Sequence, residues 1–137
     1  MGGRFTVATG RSVDSVSRYL DEIELSAPAI LYNGGLLYDF NSKKVVRQSF
    51  LPEEAKKAFT RLCHIFPEVG AEIMPESLGI CVTRASEYTY RHTQDEKLPY
   101  ALRDLESAEG RWFKALFAST PAQQALLAQK AAGLSGE

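Results

Sequence analysis

The order of apolar patterns in the first 32 residues leaves one economical way to fold them. RFTVAT (4–9) is short and rich in β-branched residues, which predicts a buried strand. After Gly10, residues Val13, Val16, Leu20 and Ile23 recur at helical spacing, with Asp14, Arg18, Asp21 and Glu22 between them. That pattern predicts an amphipathic helix of about three turns. Ser26 to Pro28 breaks it, and AILY (29–32) predicts a second buried strand. Two strands joined through a helix pack as a right-handed parallel crossover.

From residue 36 the character changes. Asn33-Gly34-Gly35 is a turn, and LLYDF (36–40) and VVRQSF (45–50), flanking NSKK, predict a hairpin. Pro52, Glu53 and Glu54 open a helix, because proline suits the first turn and acids suit its positive end. Ala55, Ala58, Phe59, Leu62 and Cys63 form its buried stripe. AEIMP and LGICVT predict strands, Glu87 to Gly110 an exposed loop with a short helix near 100–107, and RWFKALFAS (111–119) a strong strand. The last helix carries Thr120 as N-cap, Pro121 at its first position, Gln123 completing a capping box and Gly133 as a stop. This second region is α+β in pattern, with a boundary between Tyr38 and Ser49.

The chain has 137 residues and a net charge of −1, with Lys43-Lys44 and Arg47 as its longest basic cluster, so its charge does not point to nucleic acid. No apolar stretch has the length of a membrane span, and MGGRFTVATGR lacks the apolar run of a signal peptide. Cys63 and Cys81 form neither a disulfide framework nor a zinc spacing, and they read as reduced core cysteines of a cytoplasmic protein. The two histidines, His64 and His92, have no partners at metal-ligand spacing. His92 sits in a polar aromatic stretch with Tyr88, Tyr90 and Arg91, which reads as solvated loop. Trp112, Phe113 and Phe117 read as strand core.

Thr9-Gly10-Arg11 stands where the first strand meets the helix. Ligands of α/β sheets bind at the carboxyl ends of strands, where a following helix points N–H groups outward. A hydroxyl at Thr9 suits a phosphoryl oxygen, Gly10 admits close approach, and Arg11 can screen negative charge. The same residues also fit a plain strand-to-helix turn with Arg11 solvated. LYNGG ends the next strand, with Asn33 coming 24 residues after Thr9, so both would lie on one edge of one sheet.

Together, VATGRSVDSV and ILYNGGLLYD resemble the haloacid dehalogenase (HAD) superfamily, and within it the Cof-type, sugar-phosphatase-like branch with an α/β cap. FLPEEAKKAF is similar to the first cap helix, and the segment 111–133 to a strand and helix of the cap. The resemblance implies a partial parallel, Rossmann-like strand-helix-strand core over 1–38 and an α+β cap over 39–137. It implies phosphate binding by Thr9, Gly10 and Arg11, a substrate side formed by Asn33 and Gly34, and a weaker cap contribution from Lys114.

The family's chemistry uses an Asp-x-Asp nucleophile pair and magnesium held by carboxylates to cleave a small phosphorylated metabolite such as a sugar phosphate. Asp14, Asp21, Asp39, Asp95 and Asp104 form no Asp-x-Asp pair, and the family's late Gly-Asp-x-x-Asn-Asp metal motif is absent from the sequence. The expectation is therefore a fragment that starts just before the second core strand and ends within the cap. Such a chain is inactive by itself, binds no magnesium of its own, and self-associates through the uncovered 4–32 region. The alternative expectation is a stand-alone α+β domain that binds a ligand or partner without catalysis.

Overall fold

Backbone hydrogen bonds run between residues 5–9 and 26–30, yet they close a β-bridge at only one point. Ile30 N–H donates to the Val7 carbonyl and Thr9 N–H to the Ile30 carbonyl, each at 2.9 Å, framing a parallel bridge between Ala8 and Ile30. This is a computed structural model, in which residues 2–76, 80–96, 100–105 and 108–134 are described. The chain has a mixed α/β fold in two units, Met1–Phe50 and Leu51–Glu137.

In the first unit, the expected buried strand over 4–9 is an exposed extended segment, with Phe5 53% accessible. The expected three-turn helix is shorter too: α1 spans only Val13–Ser17. Ser12 caps its start, with Oγ accepting the Ser15 N–H at 3.2 Å. At its end Ser17 Oγ donates back to the Val13 carbonyl at 2.8 Å, a bond that competes with helix propagation.

Strands β1 (Ala29–Leu31), β2 (Leu36–Asp39) and β3 (Lys44–Gln48) form an antiparallel sheet in that order, so the expected hairpin is present as β2 and β3. Asp39 builds its turn by accepting from Ser42 Oγ and from the Asn41 N–H, both at 2.9 Å. Those bonds, Ser42's first, hold the Asp39 carboxyl below its ordinary range. Val16, Leu25, Ala29, Leu31 and Leu36 are buried, while Ile30, Val45 and Val46 stay exposed.

The second unit is built on β4 (Gly70–Pro75), all six residues of which are buried. Its edges pair antiparallel with β5 (Ile80–Arg84) and β7 (Trp112–Ala118), while β6 (Tyr100–Leu102) adds in parallel to β5. Ala71 and Ile73 pack with Phe59 and Cys63 of α2 (Glu53–Ile65), Ala108 and Trp112. Phe59 meets Trp112 edge-on at 6.0 Å and Phe117 at 4.6 Å between ring centroids. Burial pushes the Cys63 thiol up to about 11, opposed by the nearby Arg84 charge. Leu127 of α4 (Pro121–Leu134) closes a second cluster with Leu62 and Val69.

The capping box of α4 forms as expected: Thr120 N–H donates to Gln123 Oε1 at 3.0 Å, and Gln123 N–H to Thr120 Oγ1 at 3.2 Å. Gly133, expected as the stop, lies within the last turn of that helix.

Residues 87–107 depart most from expectation. Glu87–Glu96 is a helix, α3, where an exposed loop was expected, and 100–102 is strand where a helix was expected. Residues 106 and 107 lie outside the described set, as do the side chains of Cys81 and His92. A reciprocal cap starts α3, with Ser86 N–H donating to Thr89 Oγ1 at 3.0 Å and Thr89 N–H to Ser86 Oγ at 3.3 Å. Gly70 makes room for it: a Cβ there would come within 2.6 Å of Ser86 Oγ and 2.7 Å of Thr89 Oγ1. A complete parallel strand-helix-strand unit is thus present at β5, α3 and β6, in the second unit.

Arg84 seals the end of α2. Its guanidinium donates to the carbonyls of Cys63 at 3.1 Å, Phe66 at 3.0 Å and Val69 at 3.4 Å. Cys63 is among the last residues of α2, whose carbonyls a helix end leaves without intrahelical partners, and Phe66 and Val69 follow that end. Arg84→Met is expected to destabilise the second unit by about 2 kcal/mol, with Arg84→Lys recovering part, because all three bonds come from the single Nη1 and an ammonium has three donors but on a shorter stem. Urea unfolding followed by Trp112 emission measures both.

Candidate functional site

Thr9 and Asn33 each end an extended segment, and the backbone ties those ends together. Asn33 N–H donates to the Thr9 carbonyl at 3.1 Å, and Tyr32 N–H to the Arg11 carbonyl at 3.2 Å. With the Thr9-to-Ile30 bond, Thr9-Gly10-Arg11 is joined peptide by peptide to the segment 30–33. Arg11 N–H also donates to Thr9 Oγ1 at 3.2 Å, closing a local turn. The hydroxyl is the acceptor in that bond and keeps its own proton to donate.

The second strand end turns sharply. Tyr32, Asn33 and Gly34 have φ of 49°, 58° and 100°, three left-handed residues in succession. Asparagine tolerates this better than most side chains, and glycine adopts it without steric penalty. Asn33 and Gly34 emerge exposed, while Tyr32 is buried. Burial raises the Tyr32 phenol above its ordinary value, reinforced by the charge of Asp14 and opposed by a hydrogen bond with the Val13 backbone. The phenol therefore anchors the strand end to the first turn of α1.

Arg11 is engaged along α1. Its Nη1 donates to Ser15 Oγ at 3.0 Å, and its guanidinium carbon lies 5.5 Å from the centroid of the Tyr19 ring. Ser15 is fully buried. Sequence reasoning missed Ser15, Tyr19 and Tyr32 as supports; the spacing of Arg11 to Ser15, one helical turn, was the available signal. The helix end is also a weaker anion partner than expected. A helix of five residues has little dipole, and Ser12 already takes one first-turn amide.

Five of the expected residues, Thr9, Gly10, Arg11, Asn33 and Gly34, thus share one neighbourhood of the first unit. Lys114 belongs to the other unit. It sits on β7 opposite Met74, and strand alternation turns it away from the face on which Ala115 and Phe117 pack toward α2. Among the described residues, no group of three or more His, Cys, Asp or Glu side chains is gathered that could hold a metal ion. None of the described helices is long and apolar enough to cross a membrane.

The left-handed turn makes a direct prediction. Asn33→Val is expected to cost about 1–2 kcal/mol, and Asn33→Gly to be nearly neutral. Urea unfolding followed by amide NMR signals of residues 29–48 distinguishes the two.

Comparison with known proteins gives a family and a fold. A family model for haloacid dehalogenase-like hydrolases matches residues 1–132. No curated protein matches the sequence. Among solved structures, a haloacid dehalogenase-like hydrolase from Bacteroides thetaiotaomicron superposes with a TM-score of 0.78 at 15% identity, over 91% of this chain and 48% of that one. The HAD subclass IIB sugar phosphatase BT4131 gives 0.73 at 20% identity, over 92% of this chain and 49% of that one. BT1666, from a study of HAD phosphatases in Bacteroides thetaiotaomicron, gives 0.68 at 18% identity, over 92% and 47%. The chain spans just under half the length of these structures.

Proposed function

The chain belongs to the haloacid dehalogenase-like hydrolases, and from that membership we propose that it is part of a magnesium-dependent phosphohydrolase for a small phosphorylated metabolite such as a sugar phosphate. In this reading residues 1–38, within the first unit, derive from the catalytic core, and residues 39–137, which include the second unit, from the cap. The Thr9 hydroxyl donates to a phosphoryl oxygen, Gly10 admits that oxygen to the backbone, and Asn33 and Gly34 line the substrate side. Arg11 contributes through its peptide group, which orients the hydroxyl, with its charge close by. The observation that carries the proposal is the Asn33 N–H to Thr9 carbonyl bond of 3.1 Å, which supports one shared edge for the two motifs. Lys114 is proposed only as a cap-side residue.

The remaining chemistry has no counterpart in this sequence. It contains no Asp-x-Asp pair to attack phosphorus and protonate the leaving group. Magnesium in this family neutralises the phosphate. The described residues do not fit that ion, since they gather no carboxylate set. We therefore propose that the chain binds phosphate at Thr9 and does not hydrolyse its esters.

Two measurements test this. With magnesium and an aryl phosphate, the purified chain is expected to show no turnover above buffer. Inorganic phosphate is expected to shift the amide signals of residues 9–11 and 33–34, with affinity about tenfold weaker in Thr9→Val. Turnover abolished by Thr9→Val would overturn the inactivity, and unmoved amides would overturn the phosphoryl site. The exposed Phe5, Tyr19, Ile23 and Ile30 also support self-association through residues 4–32. Light scattering is expected to show a concentration-dependent rise in mass, and a stable monomer counts against it.

A further inference from the structure

Residues 5–9 form an open edge of the first unit. Phe5, Val7 and Thr9 direct their main-chain groups at the segment 26–30. The Phe5 carbonyl accepts from the Ser26 N–H, the Val7 carbonyl from the Ile30 N–H, and the Thr9 N–H donates to the Ile30 carbonyl, each at 2.9 Å. In an extended chain the groups of alternate residues point to opposite edges. Those of Thr6 and Ala8 therefore face outward, where no main-chain bond among the described residues reaches them, and both residues are exposed.

Three observations bear on what covers this edge. Edge strands are commonly blunted by lysine, proline or a bulge. Strand β3, last in the order β1-β2-β3, carries Lys44 and Arg47, whereas Phe5-Thr6-Val7-Ala8-Thr9 has neither a charge nor a proline. Beside the edge runs an apolar groove of about 160 Å³, with Val7, Thr9, Val16, Tyr19, Ile23 and Leu25 among the residues that line it. Alternation puts Phe5 on the face of Val7 and Thr9, and Phe5 is left 53% exposed. The edge is also complementary to itself. Set antiparallel about Val7, two copies place Thr6 of each opposite Ala8 of the other, and each such pair exchanges two main-chain bonds. Phe5 of each copy then stands opposite Thr9 of the other, beside the groove.

We propose that a second copy of this chain docks on this edge, pairing residues 5–9 antiparallel about a two-fold axis at Val7 and seating its Phe5 ring in the groove. The inference rests on the self-association proposed above and gives it a register, an anchor and a limit. A two-fold pairing uses the same edge of both copies and leaves neither open, so assembly stops at the dimer. The register is specific. Val7 meets Val7 of the second copy as a pair without main-chain bonds, with Cα atoms about 4.5 Å apart. The two Thr6 residues are diagonal neighbours at about 7–8 Å, beyond the usual reach of a disulfide.

Sedimentation of the full chain over a range of concentrations is expected to show a rise in mass that levels off at the dimer. Ala8→Pro removes an outward N–H that makes no bond within the chain, and Phe5→Ala removes the anchor. Each is expected to weaken the dimer at least about tenfold. Unmoved amide signals of residues 29–48 show that the unit stays folded in both. With oxidised glutathione, Val7→Cys is expected to form a disulfide between copies, located at residue 7 by peptide mass, and Thr6→Cys to form little. A chain that stays monomeric overturns this proposal together with the self-association on which it rests. Association that Ala8→Pro and Phe5→Ala leave unchanged, growth beyond the dimer, or equal cross-linking at the two positions overturns this pairing alone.

Discussion

Strand β4 is the constraint on which the second unit depends. All six of its residues are buried, so both of its edges and both of its faces have to be covered. The edges are met by β5 and β7, and the Ala71–Ile73 face by the Phe59, Trp112 and Phe117 cluster under α2. At Gly70 the opposite face is met by the capped start of α3, which approaches so closely that a methyl group would collide with Ser86 and Thr89. One buried strand therefore dictates a glycine, a helix start and two strand partners, and Arg84 at the end of β5 in turn fastens the end of α2.

The first unit obeys a different rule. Its apolar burial is thin, with Ile30, Val45 and Val46 exposed on its strands, and its order comes largely from backbone hydrogen bonds. Beyond the ladders of β1, β2 and β3, several of those bonds lie where Thr9-Gly10-Arg11 meets residues 30–33. Each such bond contributes modestly in water, because the unfolded chain bonds to solvent instead. A site held this way keeps its geometry while gaining little stability from it.

What the sequence disclosed follows the same division. The β4, β5 and β7 strands, α2 and the capped α4 were legible because their apolar periods and caps are strong and local. The pairing of the Thr9 and Asn33 strand ends was legible from two short motifs at matching strand ends. Helix α3 was not, because its face is polar: Thr89 is buried through hydrogen bonding with Ser86, and no apolar stripe announces it. The length of α1 was misjudged because Val13, Val16, Leu20 and Ile23 keep helical spacing past Ser17, where the helix has already ended with the hydroxyl bonded back to the Val13 carbonyl. Tyr32 escaped notice since its left-handed φ and its contact with α1 exist only once the two strand ends are joined.

Arg11 shows how far a motif can be read as a site. By residue type it is an anion ligand, and by position it stands beside the hydroxyl. Its guanidinium, however, is bonded to buried Ser15 and set against the Tyr19 ring, whereas its peptide N–H and carbonyl reach Thr9 and Tyr32. The contacts that shape the strand-end turn therefore come from its backbone. Any residue without a proline ring could supply those two peptide bonds, so they do not by themselves require arginine. What requires it is the pairing with Ser15 and Tyr19, which fixes the chain direction just after Gly10. The charge in the motif serves first to hold the turn, and in the proposed site the hydroxyl beside it is the group that would meet a ligand.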